Sequence, residues 1–181
     1  MDLGSFIEFE GRPAVRFERT YAHPVERVWA AISDPDELVH WFPSSVEIER
    51  HTGGTISFSA DPHTSQQTGV VLAYDPPRRL AYTWGGDELH LELEPLTAGQ
   101  CRLVLINVLA DSSAAARNAA GWDVCLDELA KLLSGRPGGG PHAESATPWR
   151  SRYDAYVTSG MPSGADIPTT QEPRRPPCSR T

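Results

Sequence analysis

The segment from residue 46 to residue 133 constrains the fold most, because six strand-like runs precede one long helical run. In the clearest run, Leu89, Leu91 and Leu93 alternate with charged residues and His90, which predicts one buried face and one solvated face. Turn residues such as Gly85-Gly86-Asp87 separate the runs. We predict strands over Val46–His51, Thr55–Ala60, Gln66–Tyr74, Arg79–Trp84, Glu88–Glu94 and Cys101–Leu109.

The helical run extends over Ser112–Leu133 and is amphipathic, with Trp122, Cys125 and Leu129 on its apolar side. Upstream, the sequence predicts a strand over Ala14–Tyr21, which a shorter strand could precede, and two short helices. An antiparallel sheet of six or seven strands that curves around the long helix would bury both apolar faces. This is an α+β architecture, and we expect the curvature to leave an apolar cavity between sheet and helix.

Composition changes at Gly135, which divides the chain into a domain over 1–134 and a tail over 135–181. The last 47 residues contain eight of the 16 prolines and six of the 15 glycines, which is typical of a linker. Within the tail, Trp149, Tyr153 and Tyr156 have helical spacing, so we predict a short helix near 148–157 that docks on the domain. From Met161 onward we expect disorder.

Several segments resemble the bacterial activator-of-heat-shock-protein-ATPase homologue family. They are Phe17-Glu18-Arg19, the stretch from His23 to Ile32, Asp34-Pro35-Asp36-Glu37-Leu38, Trp41-Phe42-Pro43, Gly69-Val70-Val71, the stretch from Pro76 to Trp84, and the stretch from Gly121 to Leu129. The resemblance implies the helix-grip fold of the START-like (SRPBCC, polyketide cyclase and lipid-transfer) superfamily over about residues 12–134. The family includes presumed carriers of small hydrophobic molecules, stress-linked bacterial proteins and co-chaperone-like modules.

Composition and motifs exclude several classes of function. The net charge of −8 disfavours nucleic acid as a partner, and no apolar run is long enough to cross a membrane. The sequence contains no recognised metal-ligand spacing, phosphate-binding glycine loop or nucleophile elbow, so it predicts no catalytic residues, metal or cofactor. Three widely spaced cysteines and a start without signal-peptide features favour the cytoplasm.

Aromatic residues carry the strongest functional signal. In a helix-grip fold Trp41, Phe42, Trp84 and Trp122 surround one cavity and could bind an apolar ligand, although they could equally be simple core packing. Four further residues could line the same cavity: Asn118, Cys125, His40 and Arg19. The commoner alternatives are an inert core position for Cys125 and an exposed position for His40. For Arg19, an inward position requires an acceptor from a ligand or an aspartate, and a position at the strand edge is the commoner alternative.

The sequence therefore predicts a carrier or sensor for a small hydrophobic or aromatic molecule. One alternative is a cyclase-like or aromatase-like enzyme that uses the same cavity, for which we expect at least two inward polar groups. The other is a module that contacts a chaperone through its outer surface. A homodimer is also compatible with the sequence.

Overall fold

The computed structural model describes residues 3–136, 138–143, 146 and 148–167. An antiparallel sheet of eight strands has the order β1-β2-β8-β7-β6-β5-β4-β3. The strands are β1 (Ser5–Phe9), β2 (Arg12–Tyr21), β3 (Ser45–Ile48), β4 (Thr55–Ser59), β5 (Gln67–Asp75), β6 (Arg79–Trp84), β7 (Asp87–Thr97) and β8 (Gln100–Val108). The helices are α1 (Val25–Ser33), α2 (Pro35–Leu38), α3 (Ala115–Leu133) and α4 (Trp149–Thr158), and a 3-10 turn (Ser112–Ala114) precedes α3.

This architecture confirms the predicted α+β helix-grip fold. The sheet has eight strands rather than six or seven, because the run before Gly11 also pairs, with Ile7 opposite Ala14 in β2. No helix in the described ranges is long and apolar enough to cross a membrane.

The concave face of the sheet packs against α3. The inward residues lie in register across the strands: Phe17 is opposite Leu105, Leu105 is opposite Leu91, and Leu91 is opposite Leu80. On α3, Leu129 is fully buried in the same core. Side-chain caps fix where the short helical elements begin, since Asp34 accepts from the Asp36 amide and Asp111 from the Ser113 amide.

The expectation that His90 is solvated is wrong. His90 is only 7% exposed, and its ring lies 5.1 Å from the ring of Phe9 in β1. The outer face carries a second small apolar cluster, which includes Ala14 and Ile106 and is partly covered by Phe9. Alternation placed His90 on the outer face, but it could not show that β1 covers that part of the face.

Helix α4 packs on α3 mainly through Tyr156 and Arg152, both buried, whereas Trp149 and Tyr153 are half-buried. The expectation of disorder from Met161 onward is wrong for residues 161–167. Met161 is buried, and the Pro162 carbonyl accepts a 2.9 Å hydrogen bond from the Ala116 amide. The rest of that expectation, residues 168–181, lies outside the described residues.

Candidate functional site

An aromatic cluster fills the space between the sheet and α3 at the end where α2 meets the strands. Phe42 is at its centre, and its ring centroid lies 5.5 to 6.5 Å from those of five other rings, including that of Trp41 at 5.7 Å. We define the aromatic cluster as Phe42, Phe58, Tyr82, Trp84 and Trp122. The rings are in contact, so they occupy the region where the sequence predicted an open cavity.

Four separate parts of the chain bring these rings together. The turn after α2 carries Phe42, strands β4 and β6 carry Phe58, Tyr82 and Trp84, and the middle of α3 carries Trp122. Trp84 ends β6 and leads into a tight turn at Gly85 and Gly86, both with positive φ.

The three indole N–H groups in this region differ in their hydrogen bonding. Trp41 Nε1 donates to the Ala31 carbonyl at 2.8 Å, which ties Trp41 to α1 as a structural residue. Trp122 Nε1 donates to Asn107 Oδ1 at 3.1 Å. Trp84 Nε1 is buried and has no hydrogen-bond partner among the described residues. A buried donor without a partner is unusual in folded proteins, so this group identifies the one open polar position among the three indoles.

A group of polar side chains lies next to Trp122. Asn118 of α3 donates from Nδ2 to Asp87 Oδ2 and to Asn107 Oδ1, each at 2.9 Å. Asn107 is fully buried and donates to Asp87 Oδ2 at 3.2 Å, while the Ala110 amide donates to Asp87 Oδ1. These groups therefore satisfy one another and fix the position of the Trp122 indole.

The other predicted site residues lie apart from this polar group. Cys125 is buried on α3, and burial raises the pKa of its thiol well above the usual range, so it stays protonated and inert at neutral pH. His40 is exposed and lines a surface cleft. Arg19 points inward and donates from Nη2 to Asp123 Oδ1 at 2.9 Å. The structure therefore supplies an aspartate as the acceptor.

Sequence reasoning missed four residues of this region: Phe58, Tyr82, Asn107 and Asp87. Three of them had a usable signal in strand alternation. Tyr82 is in phase with Trp84, and Asn107 is in phase with buried Leu105, which makes it a polar residue at a core position. Nothing in the sequence indicated that Asp87 joins Asn107 and Asn118. Among the described residues, no group of three His, Cys, Asp or Glu side chains could hold a metal ion.

Comparison with known proteins gives one family match. The model of the family "Activator of Hsp90 ATPase homolog 1-like protein" matches residues 22–134. No curated protein matches the chain.

Solved structures similar to this chain share its fold. The crystal structure of CalU16 from Micromonospora echinospora is 22% identical, covers 86% of this chain and 94% of its own, and has a TM-score of 0.64. EF2215 from Enterococcus faecalis, described as a conserved protein of unknown function, is 19% identical over 86% and 89%, with a TM-score of 0.69. The protein encoded by BPP1335 from Bordetella parapertussis is 29% identical over 81% and 83%, with a TM-score of 0.63.

Proposed function

Because the chain belongs to the family of Activator of Hsp90 ATPase homolog 1-like proteins, we propose that it binds a small hydrophobic or aromatic molecule at the aromatic cluster. In this proposal the protein acts as a carrier or sensor. The ligand inserts between the sheet and α3, where the rings of Phe42, Trp84 and Trp122 contact one another.

The observation that carries this proposal is the buried, unpartnered Nε1 of Trp84. Leaving such a donor unsatisfied costs roughly 1–3 kcal/mol, which a bound acceptor would recover. The preferred ligand is therefore an aromatic molecule that carries one carbonyl or similar oxygen. Its apolar body would contact the rings, and its oxygen would accept from Trp84.

The rings contact one another without a ligand, so binding requires at least one of them to move. Trp84 is the best candidate, because it is half-buried and ends β6 at a two-glycine turn, whereas Phe42 and Trp122 are each 3% exposed. Moving Trp84 outward would open space beside Trp122 while Asn107 continues to hold the Trp122 indole.

The enzyme alternative has less support. It requires at least two inward polar groups that can act on a substrate, and the polar groups next to the aromatic cluster are Asp87, Asn107 and Asn118. Their donors and acceptors bond mainly to one another, and burial keeps the Cys125 thiol protonated. For a chaperone partner, the support is the family match.

A pair of probes tests the proposal. Naphthalene and 2-acetylnaphthalene share one ring system, and only the second has a carbonyl oxygen. We expect both to quench tryptophan fluorescence and the ketone to bind more tightly. Trp84→Phe keeps an aromatic side chain but removes the N–H donor, so the two probes should bind this variant equally well. Trp149→Phe, on α4, should leave the difference in affinity between the probes unchanged. If neither probe alters fluorescence or thermal stability, the aromatic cluster is only packing and the proposal is wrong.

A further inference from the structure

A surface cleft of about 440 Å³ lies beside the C-terminal end of α3. We name it the Glu128 cleft and define it by its lining residues, which are His40, Glu128, Leu132, Gly135, Arg136 and Gly138. None of them belongs to the aromatic cluster, so this cleft is independent of the proposed function.

Glu128 is the unusual residue of this cleft, because its side chain is charged and only 1% exposed. Its Oε1 atom accepts a 2.5 Å hydrogen bond from Lys131 Nζ. Its Oε2 atom is buried, and no group in the described part of the chain donates to it. An unpartnered carboxylate oxygen at a buried position is costly, and an O–H or N–H donor from a ligand would remove that cost.

The segment after α3 covers this oxygen without bonding to it. A Cβ atom at Gly138 would lie 2.7 Å from Glu128 Oε2, so a larger residue at this position would require the Glu128 carboxylate to shift. Further along the segment, His142 Nε2 donates to the Pro43 carbonyl at 2.8 Å. A ligand that reaches Oε2 must displace the backbone at Gly138. This displacement moves no side chain of residue 138, because glycine has none.

The rim of the cleft carries donors. Arg136 is exposed, and its Nε donates to Ser134 Oγ at 2.8 Å. No ion pair joins the Arg136 guanidinium to a carboxylate of the residues described, so its remaining N–H groups can bind an anion. A simple ammonium ligand is disfavoured, because the Lys131 ammonium group already forms an ion pair with Glu128.

We propose that the Glu128 cleft binds a small organic acid that also carries a hydroxyl group. The hydroxyl donates to Glu128 Oε2, the carboxylate of the ligand accepts from Arg136, and Leu132 contacts the carbon skeleton. A volume of about 440 Å³ lies within the range typical of small-molecule sites.

Titration of the full chain with 2-, 3- and 4-hydroxybenzoate tests this proposal, with benzoate as the probe that lacks the hydroxyl. The three isomers place the hydroxyl at different distances from the carboxylate. We expect at least one isomer to bind tenfold or more tightly than benzoate, as measured by calorimetry, and to shift the NMR signals of His40.

Variants identify the groups that bind. Glu128→Met should remove the advantage of the hydroxybenzoate, and Glu128→Gln should reduce it with little change in fold. Arg136→Gln, at an exposed position, should weaken all the acids alike. Trp84→Phe should have no effect on them. The proposal is overturned if no isomer binds better than benzoate, or if the advantage survives in Glu128→Met.

Discussion

Arg19 of β2 donates from Nη2 to Oδ1 of Asp123, in the middle of α3, at 2.9 Å. The Asp123 side chain is 2% exposed and that of Arg19 is 21% exposed. Oδ2 of Asp123 accepts from the Tyr156 hydroxyl of α4 at 2.5 Å, and that hydroxyl accepts from the Gly4 amide at 2.7 Å. One aspartate thus joins the sheet, the long helix and the last helix.

We expect Arg19→Met to destabilise the protein by about 3 kcal/mol, because it leaves the Asp123 carboxylate buried with its positive partner removed. Asp123→Asn should cost less, since the charge that loses its partner in that variant is on Arg19, which is 21% exposed and therefore partly solvated, whereas Asp123 is 2% exposed. Urea unfolding at pH 7 measures both. A larger loss for Asp123→Asn than for Arg19→Met would contradict this order.

The loss in Arg19→Met should decrease as the pH falls. Burial raises the pKa of Asp123 above its ordinary value of 3.8, and this effect outweighs the bonds from Tyr156 and Arg19 that lower it. A group with a raised pKa in the folded state binds its proton more readily when folded, so stability is gained as the pH drops through that pKa. Urea unfolding between pH 7 and pH 4 should show the gain, and a constant loss would contradict it.

The contribution of Glu88 to stability should decrease as the pH falls, which is the opposite of the change expected for Asp123. Burial raises its pKa, but hydrogen bonds from His90 and Arg12 outweigh burial and hold the pKa below 4.5. Its stabilising effect is therefore present at neutral pH and lost as the pH falls through the folded-state pKa. Glu88→Gln should cost about 1 kcal/mol at pH 7 and nothing at pH 2. Glu92→Gln, an exposed carboxylate of β7, is the matched control and should be almost silent throughout.

A chain that ends at residue 160 should be less stable than one that ends at residue 167. The shorter chain loses Met161, which is buried, and the Pro162 carbonyl that accepts from Ala116. We expect a difference of about 2–4 kcal/mol in urea unfolding, mostly from the apolar area of the methionine. Equal stability would show that residues 161–167 contribute nothing.

Leu129→Ala should cost about 2–5 kcal/mol, because Leu129 is fully buried where α3 meets the sheet and its removal leaves a cavity. Leu132→Ala, three residues along the same helix at a half-buried position, is the control and should cost clearly less. Thermal unfolding measures both. Similar losses of stability in the two variants would mean that the side of α3 that carries Leu129 is not the side that packs against the sheet.

Local patterns were sufficient to predict the sheet and the long helix. Alternation along residues 88–94 and the spacing of Trp122, Cys125 and Leu129 gave the period of each element, and the turn residues separated the strands. The spacing along the long helix put Trp122 on its apolar side, and the helix-grip fold that the sequence resembles put Trp84 near it; the two ring centroids lie 5.6 Å apart.

Site geometry could not be predicted in the same way, because it depends on contacts between residues far apart in the chain. Alternation placed Arg19 on the inner face of β2, but Asp123 is 104 residues away, and only packing of α3 makes it the partner. Likewise, no local pattern indicates that the rings close on one another and leave Trp84 Nε1 without a partner among the residues described.

The sequence by itself determined which segments become strands and helices and which face of each is apolar, because both depend on residues within a few positions of each other. The tertiary structure alone decided that His90 is covered by Phe9, that Met161 joins the core, and that no described group donates to one oxygen of Glu128. Each of these depends on how a segment such as β1 or the tail packs on the sheet and α3. The stability of such packing comes from many weak contacts between residues far apart in the chain, and a local sequence period contains no information about those contacts.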